Sequence, residues 1–293
     1  MEDYIVRITD KKKQVRAFGA ITTNLVEEAR KIHKTTPVVS AALGRLMTAS
    51  GMMGQMLKGE NDIITLQIKG NGPLKGMIVT ADIKGNIKGY PYNPIVDIPL
   101  NSKGKLDVKG AIGEGKLIVI KDLGLKEPYI GQTNLISGEI AEDITYYFAN
   151  SEQIPSAVAL GVLVDRDYSI KQAGGFIIQI LPEAEEETIS KLEENLKNIT
   201  SITHLLEEGK KPEDILKFLL EDIIILDKVP VHFNCNCSRE RVEKALISIG
   251  LKDLKKILEE DKKAELKCHF CNKKYMFDEV DLKKIINRLS GTM

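Results

Sequence analysis

Residues 231–277 read VHFNCNCSRERVEKALISIGLKDLKKILEEDKKAELKCHFCNKKYMF. All four cysteines of the 293-residue chain lie here, as two pairs, Cys235-Asn236-Cys237 and Cys268-His269-Phe270-Cys271. Four thiolates are a sufficient tetrahedral set for zinc. The second pair has the form of a zinc knuckle. Leu266-Lys267 enters as a strand, the pair sits on the turn, Asn272 suits a left-handed backbone, and Tyr275-Met276-Phe277 leaves as the return strand. The first pair has one intervening residue where an ordinary ribbon has two, so it makes a tight chelate. A disulfide between Cys235 and Cys237 would close a small ring, and strained disulfides are the labile ones. The pair therefore suits metal binding with a redox option. On spacing alone a purely structural zinc site is the commoner case.

The surroundings fit a small α+β metal domain over 231–293. Ser238 is placed to cap a helix from Arg239 to Ile249, with Gly250 as its stop. A second helix runs to Glu260, and Asp278 caps a third from Glu279 to Leu289. About sixty residues with so few aromatics need a staple beyond their own core. Arg239, Arg241, Lys267, Lys273 and Lys274 flank the ligands. They either favour the thiolates or simply form a solvated surface. His232 and His269 are bystanders to a shell that four cysteines complete, and His33 and His204 read as structural.

Upstream, Pro182–Pro230 contains thirteen acidic and six basic residues. It reads as an acidic helical linker, 182–230. Ile189, Leu192 and Leu196 mark one helix. A second starts at Pro212 and carries an apolar face of Ile215, Phe218, Leu219, Ile223, Ile224 and Leu226. Residues 1–181 hold no cysteine and read as a mixed α and β domain. Strands are expected at Tyr4–Ile8, Gln14–Ile21, Asp62–Lys69, Lys75–Asp82, Asn86–Tyr90, Leu106–Val108 and Leu117–Lys121. Helices are expected at Asn24–Lys34, from Pro37, and over Gly138–Glu152. Val158–Val164 and Phe176–Leu181 are apolar runs whose period leaves helix and strand open.

The fold class is thus α+β. A mixed N-terminal domain with sheets packed on helices is followed by a helical linker and a small zinc-binding C-terminal domain. Forty-two basic and 42 acidic residues give zero net charge, which argues against a nucleic-acid partner. The sum hides about +3 through Leu181, −7 over the linker and +4 beyond. Val38–Leu57 is long enough to span a bilayer, but Arg45, Gly44, Gly51 and Gly54 fit a buried helix better. Met47, Met52, Met53 and Met56 then pack a core rather than meet a partner. Residues 1–16 lack the apolar core of an export signal, so a cytoplasmic protein with reduced thiols is expected. No Walker A loop, Rossmann fingerprint, nucleophile elbow or His-Glu-x-x-His occurs, and no enzyme is expected. From the residues, a zinc-ribbon nucleic-acid binder and a thiol–disulfide oxidoreductase stay as alternatives.

Two features together resemble the redox-regulated heat-shock holdase chaperones of bacteria. One is the Cys235-x-Cys237 and Cys268-x-x-Cys271 arrangement. The other is Gly138–Pro182, GEIAEDITYYFANSEQIPSAVALGVLVDRDYSIKQAGGFIIQILP, supported by AALGRLMTAS at residues 41–50. The resemblance implies an ATP-independent holdase for unfolding proteins. It implies a reduced form that holds one zinc ion on the four cysteines and is inactive. Oxidation would give the disulfides Cys235–Cys237 and Cys268–Cys271, the latter pair sensing first. Zinc would leave, the C-terminal domain and linker would unfold, and a homodimer would bind clients, with Ile215, Phe218, Leu219, Ile223, Ile224 and Leu226 of the linker as the candidate client-binding residues.

Overall fold

The computed structural model of the chain describes residues 2–291. The chain starts with an antiparallel hairpin of Tyr4–Asp10 (β1) and Val15–Ile21 (β2). Asp10 closes its turn, since Oδ1 accepts from the amides of Gln14 and Val15 at 2.7 and 2.8 Å. Helices Thr23–His33 (α1) and Pro37–Gly54 (α2) follow, the second started by proline at a position where its missing N–H costs nothing. The strands Ile63–Gly70 (β3), Gly76–Asp82 (β4) and Asn86–Pro91 (β5) form a meander. A short helix Val108–Ile112 (α3) leads to the hairpin Gly115–Asp122 (β6) and Tyr129–Asn134 (β7). Helix Ala141–Tyr147 (α4) continues into a π-helical turn at Phe148–Glu152. Strands Ser156–Val164 (β8) and Ile170–Ile180 (β9) return to the first hairpin. Glu186–Lys197 (α5), Ile202–Glu207 (α6), Pro212–Leu220 (α7), Ile223–Pro230 (β10) and His232–Phe233 (β11) complete the first compact unit, Met1–Asn234.

Two sheets organise this unit, a five-stranded one in the order β10-β1-β2-β9-β8 and a six-stranded one in the order β11-β5-β4-β3-β6-β7. Helix α2 is the common core. Sixteen of its eighteen residues are buried, including Met47, Met52 and Met53. This explains its uniform hydrophobicity, and among the described residues no helix is long and apolar enough to cross a membrane. Gly44 is required by close packing, because a Cβ there would lie 2.6 Å from Val26 Cγ1 and 2.8 Å from Val162 Cγ2. The other face of the five-stranded sheet carries a second core. Val6, Ile8, Val15, Ala17, Phe176 and Ile178 meet Leu192 of α5, Ile202 and Leu206 of α6, and Ile215, Leu216 and Leu219 of α7.

Two local expectations need correction, and one left open is settled. Leu106–Val108 is not a strand. Asp107 accepts from Gly110 N at 2.9 Å and so starts α3 at Val108. The helix from Pro212 does not reach Leu226. Glu221, at φ 58° and ψ −80°, ends it, and the β-branched run Ile223-Ile224-Ile225 pairs instead with Asp10, Thr9 and Ile8 of β1. The run Val158–Val164, left open by its period, is a strand. Strand β7 and helix α6 have no counterpart among the expected elements.

The second unit is Cys235–Met293. It comprises Arg239–Ser248 (α8), Leu251–Glu260 (α9), a hairpin of Ala264–Lys267 (β12) and Lys274–Phe277 (β13), and Glu279–Leu289 (α10). Ser238 Oγ accepts from Arg241 N, and Asp278 Oδ1 accepts from Asp281 N, so both caps stand where the sequence puts them. Its core is small: Leu246, Leu254, Tyr275, Phe277, Leu282, Ile285 and Ile286, with Cys237 and Cys268 packed against it.

Candidate metal centre

The β12–β13 hairpin builds one half of the site. Cys268 N donates to Lys273 O at 2.9 Å and Asn272 N donates to Cys268 O at 2.8 Å, which folds the knuckle. Asn272 takes the left-handed backbone, φ 59°, that this turn demands. The other half is the extended segment before α8, where Arg241 Nη1 holds Asn236 O at 3.1 Å and so fixes the bridge between Cys235 and Cys237. The two halves bring all four Sγ atoms within 4.8 Å of one another. Cys235 and Cys268 stand 3.7 Å apart, and Cys237 and Cys271 3.4 Å. Four thiolates around one zinc with bonds of about 2.3 Å are separated by roughly 3.8 Å along tetrahedral edges. The cluster therefore has the donor type, number and spacing for a metal ion. All four thiols are free and half-buried.

The thiols are not equivalent. Burial pushes Cys235 and Cys271 up. Burial also raises Cys237, but the hydrogen bond from Tyr275 Oη, 3.1 Å away, and those of the other sulfurs outweigh it and bring Cys237 down to about 7. Tyr275 is the residue the sequence did not single out. Its place in the return strand was legible, but its sulfur partner lies 38 positions away. The basic neighbours divide. Arg239 stacks on Phe277 at 4.3 Å, donates to Met276 O at 2.7 Å and pairs with Asp281 at 2.6 Å. Lys274 pairs with Glu265 at 2.9 Å, and Lys273 lies over the Tyr275 ring. They serve mainly as framework.

The six candidate client residues are not one face. Ile215 and Leu219 of α7 are buried against the five-stranded sheet, and Ile223 is half-buried. Phe218, Ile224 and Leu226 are exposed, at 53%, 41% and 52%. The acidic segment that carries them docks on basic side chains of the first sheet. Glu185 meets Lys12 at 2.7 Å, Glu207 meets Lys171 at 2.7 Å, and Asp227 meets Arg7 at 2.5 Å. Glu213 accepts from Tyr4 Oη at 2.7 Å and pairs with Lys228 at 2.5 Å.

Comparison with known proteins agrees with this arrangement. The profile of the family described as "Hsp33 protein" matches residues 3–278. The 33 kDa chaperonin of Lachnoclostridium phytofermentans is 56% identical over 290 residues, covering 98% of this chain and 99% of the relative. That of Clostridioides difficile is 56% identical over 292 residues, covering 99% and 100%. The crystal structure of the 33 kDa chaperonin (Heat shock protein 33 homolog) from Thermotoga maritima superposes with a TM-score of 0.93 at 38% identity, over 99% of this chain and 100% of that one. The chain belongs to the Hsp33 family, the redox-regulated, ATP-independent holdase chaperones, which are not enzymes.

Proposed function

We propose that Cys235, Cys237, Cys268 and Cys271 hold one zinc ion in the reduced protein and that their oxidation switches the holdase on. The observation that carries this is the convergence of four free thiols on a domain in which, among the described residues, seven apolar side chains form the buried core. When bound, zinc supplies folding free energy to a domain whose own core is too small. One peroxide per pair takes two electrons from the thiolates, Cys235 with Cys237 and Cys268 with Cys271, and with two protons from solvent leaves as two waters. The four thiolate donors are then gone, and residues 231–293 lose what held them.

The acidic segment 182–230 is the second element of the switch. Its ion pairs with the sheet are largely solvent-exposed, and such pairs are individually worth about 0–1 kcal/mol. Once released it repels itself, with thirteen acidic residues against six basic. It would then offer Ile215, Phe218, Leu219, Ile223, Ile224 and Leu226 to unfolding clients, and uncover the sheet surface of residues 1–181. The active form is a homodimer, the location is cytoplasmic, and the partners are unfolding proteins rather than nucleic acid or membrane.

The deciding assay follows light scattering of heat-unfolded luciferase. The reduced, zinc-loaded chain is expected to leave aggregation unchanged. The peroxide-treated chain, with all four thiols consumed, is expected to suppress it. Equal suppression by both forms would overturn the switch. Hydrogen exchange over 182–230 should rise in parallel, and protection that persists after oxidation would remove the linker from the mechanism.

Two substitutions separate folding from client contact. Leu219→Ala empties a buried site, with an expected loss of about 2–5 kcal/mol of stability in the reduced protein. Phe218→Ser, at an exposed site, is expected to change stability by about 0.5 kcal/mol or less. It should instead weaken client binding by the oxidised protein by about 1 kcal/mol, roughly fivefold. Thermal unfolding and luciferase titration check the pair. Unchanged client affinity in Phe218→Ser would exclude that side chain from the client surface.

A further inference from the structure

The five-stranded sheet ends on β8, residues 156–164, SAVALGVLV, which pairs antiparallel with β9 alone. Ile180 N donates to Pro155 O at 2.9 Å, and this sets the phase of the ladder. The residues bonded to β9 are then Ala157, Ala159, Gly161 and Leu163. The main-chain groups of Ser156, Val158, Leu160 and Val162 point away from the sheet. Among the described residues, no backbone hydrogen bond outside the β8–β9 ladder engages those four.

Sheet edges are ordinarily protected by charge, proline, shortness or a bulge. The other three edges of the two large sheets have such devices. Strand β11 has two residues, β10 carries Asp227, Lys228 and Pro230, and β7 is six residues long and half polar. Strand β8 has nine residues with no charge and no proline, and a single irregularity at Leu163/Val164. Val158 and Leu160 pack toward the main core, and Ala157 and Ala159 toward the α6 side. Helix α6 lies against that second face, close enough that a Cβ on Gly161 would meet Thr203 Cγ2 at 2.7 Å.

We propose that the free edge of β8 is a strand-addition site for an extended, uncharged, apolar segment of an unfolding polypeptide. Outward donors and acceptors alternating at strand spacing are matched by an extended backbone and by nothing in a nucleic acid or lipid headgroup. The absence of charge over nine residues selects neutral, apolar segments. Main-chain recognition is independent of side-chain identity, which suits a holdase. Release of α6 frees the space that an added strand's side chains need on that face. The proposal rests on the holdase reading and on release of the linker.

The test uses the full-length, peroxide-oxidised chain and the peptide acetyl-(Thr-Val)4-amide. On adding the peptide, the amides of Val158, Leu160 and Val162 are expected to exchange at least about tenfold more slowly, because each gains a hydrogen bond. Those of Ala157 and Ala159, already bonded to β9, stay unchanged. Val158→Pro removes one outward N–H and is tolerated at an edge. It is expected to weaken luciferase suppression about fivefold relative to Val158→Ala, which keeps the N–H. If Val158→Pro lowers the thermal midpoint below that of Val158→Ala, the exchange experiment on the parent chain decides alone. Unchanged exchange at the three outward amides overturns the proposal and, with luciferase suppression intact, leaves the holdase reading standing. Protection that appears without peptide and grows with protein concentration also overturns it, by assigning the edge to a second copy. An oxidised parent that fails to suppress luciferase aggregation refutes the holdase reading itself, and the peptide experiment still decides the edge.

Discussion

Cys268→Ser is expected to abolish tight zinc binding and unfold residues 235–293, while residues 2–181 keep their hydrogen-exchange protection. Cys268 is held by the knuckle itself, through its amide to Lys273 O, and its sulfur stands 3.7 Å from that of Cys235. A serine hydroxyl preserves the turn but is a poor zinc donor at neutral pH. Structural zinc contributes about 10–16 kcal/mol to folding in zinc-finger peptides, and the core of this unit, Leu246, Leu254, Tyr275, Phe277, Leu282, Ile285 and Ile286, is too small to replace it. Loss of one thiolate of four is expected to lower zinc affinity at least about a thousandfold, roughly 4 kcal/mol. Competition with a chromophoric chelator measures the affinity, and residue-resolved exchange measures the unfolding. A variant that binds one zinc with the parent's affinity and keeps slow exchange over α8 to α10 would show that the thiols do not form the staple.

The second large effect lies far from the thiols. Asp143 is 1% exposed, and its carboxylate accepts from four backbone amides. Oδ1 takes those of Ile136, Ser137 and Gly138 at 2.8, 3.0 and 3.3 Å, and Oδ2 takes that of Ile140 at 2.9 Å. One side chain thereby folds the loop before α4 and supplies the helix start. Asp143→Ala leaves those donors without their acceptor, and the amides of Gly138 and Ile140 are buried. An unmet buried donor costs about 1–3 kcal/mol, and partial relaxation brings the expected total to about 3–5 kcal/mol. In a unit of this size that lowers the thermal midpoint by about 10 °C. Circular dichroism of the reduced, zinc-loaded protein checks this. A midpoint within a degree of the parent would mean that water or the loop itself satisfies the amides. Asp143→Asn should fall between, because one oxygen still accepts while the amide nitrogen faces other donors.

These two sites differ in how far the sequence discloses them. The thiol cluster was legible because its chemistry is local and rare: four cysteines in two short pairs, an Asn272 suited to the turn, caps at Ser238 and Asp278. Asp143 was not, because an acid near a helix start is common and only the fold shows that it gathers four amides. The same holds for Tyr275, whose hydroxyl reaches Cys237 across 38 residues of sequence. The break at Glu221 was hidden for another reason. Ile215, Phe218, Leu219, Ile223 and Leu226 fall near helical spacing, and the competing partner of Ile223–Ile225 is strand β1, more than two hundred residues earlier.

By itself the sequence determined the α+β class, the thiol set, the acidic segment and the bounds of helices such as α1, α8 and α10, because proline, glycine, caps and cysteine pairs act over a few residues. Only the tertiary structure decided which way the ambiguous apolar runs go. Val158–Val164 is a strand because β9 offers it a register, and Ile223–Pro230 is a strand because β1 has a free edge. It also decided that Ile215 and Leu219 face the sheet while Phe218, Ile224 and Leu226 face water, and that β8 presents an unguarded edge. Hydrophobicity says that a residue will be buried somewhere. Which partner buries it is a property of contacts between distant segments, and no single stretch of the chain contains both sides of them.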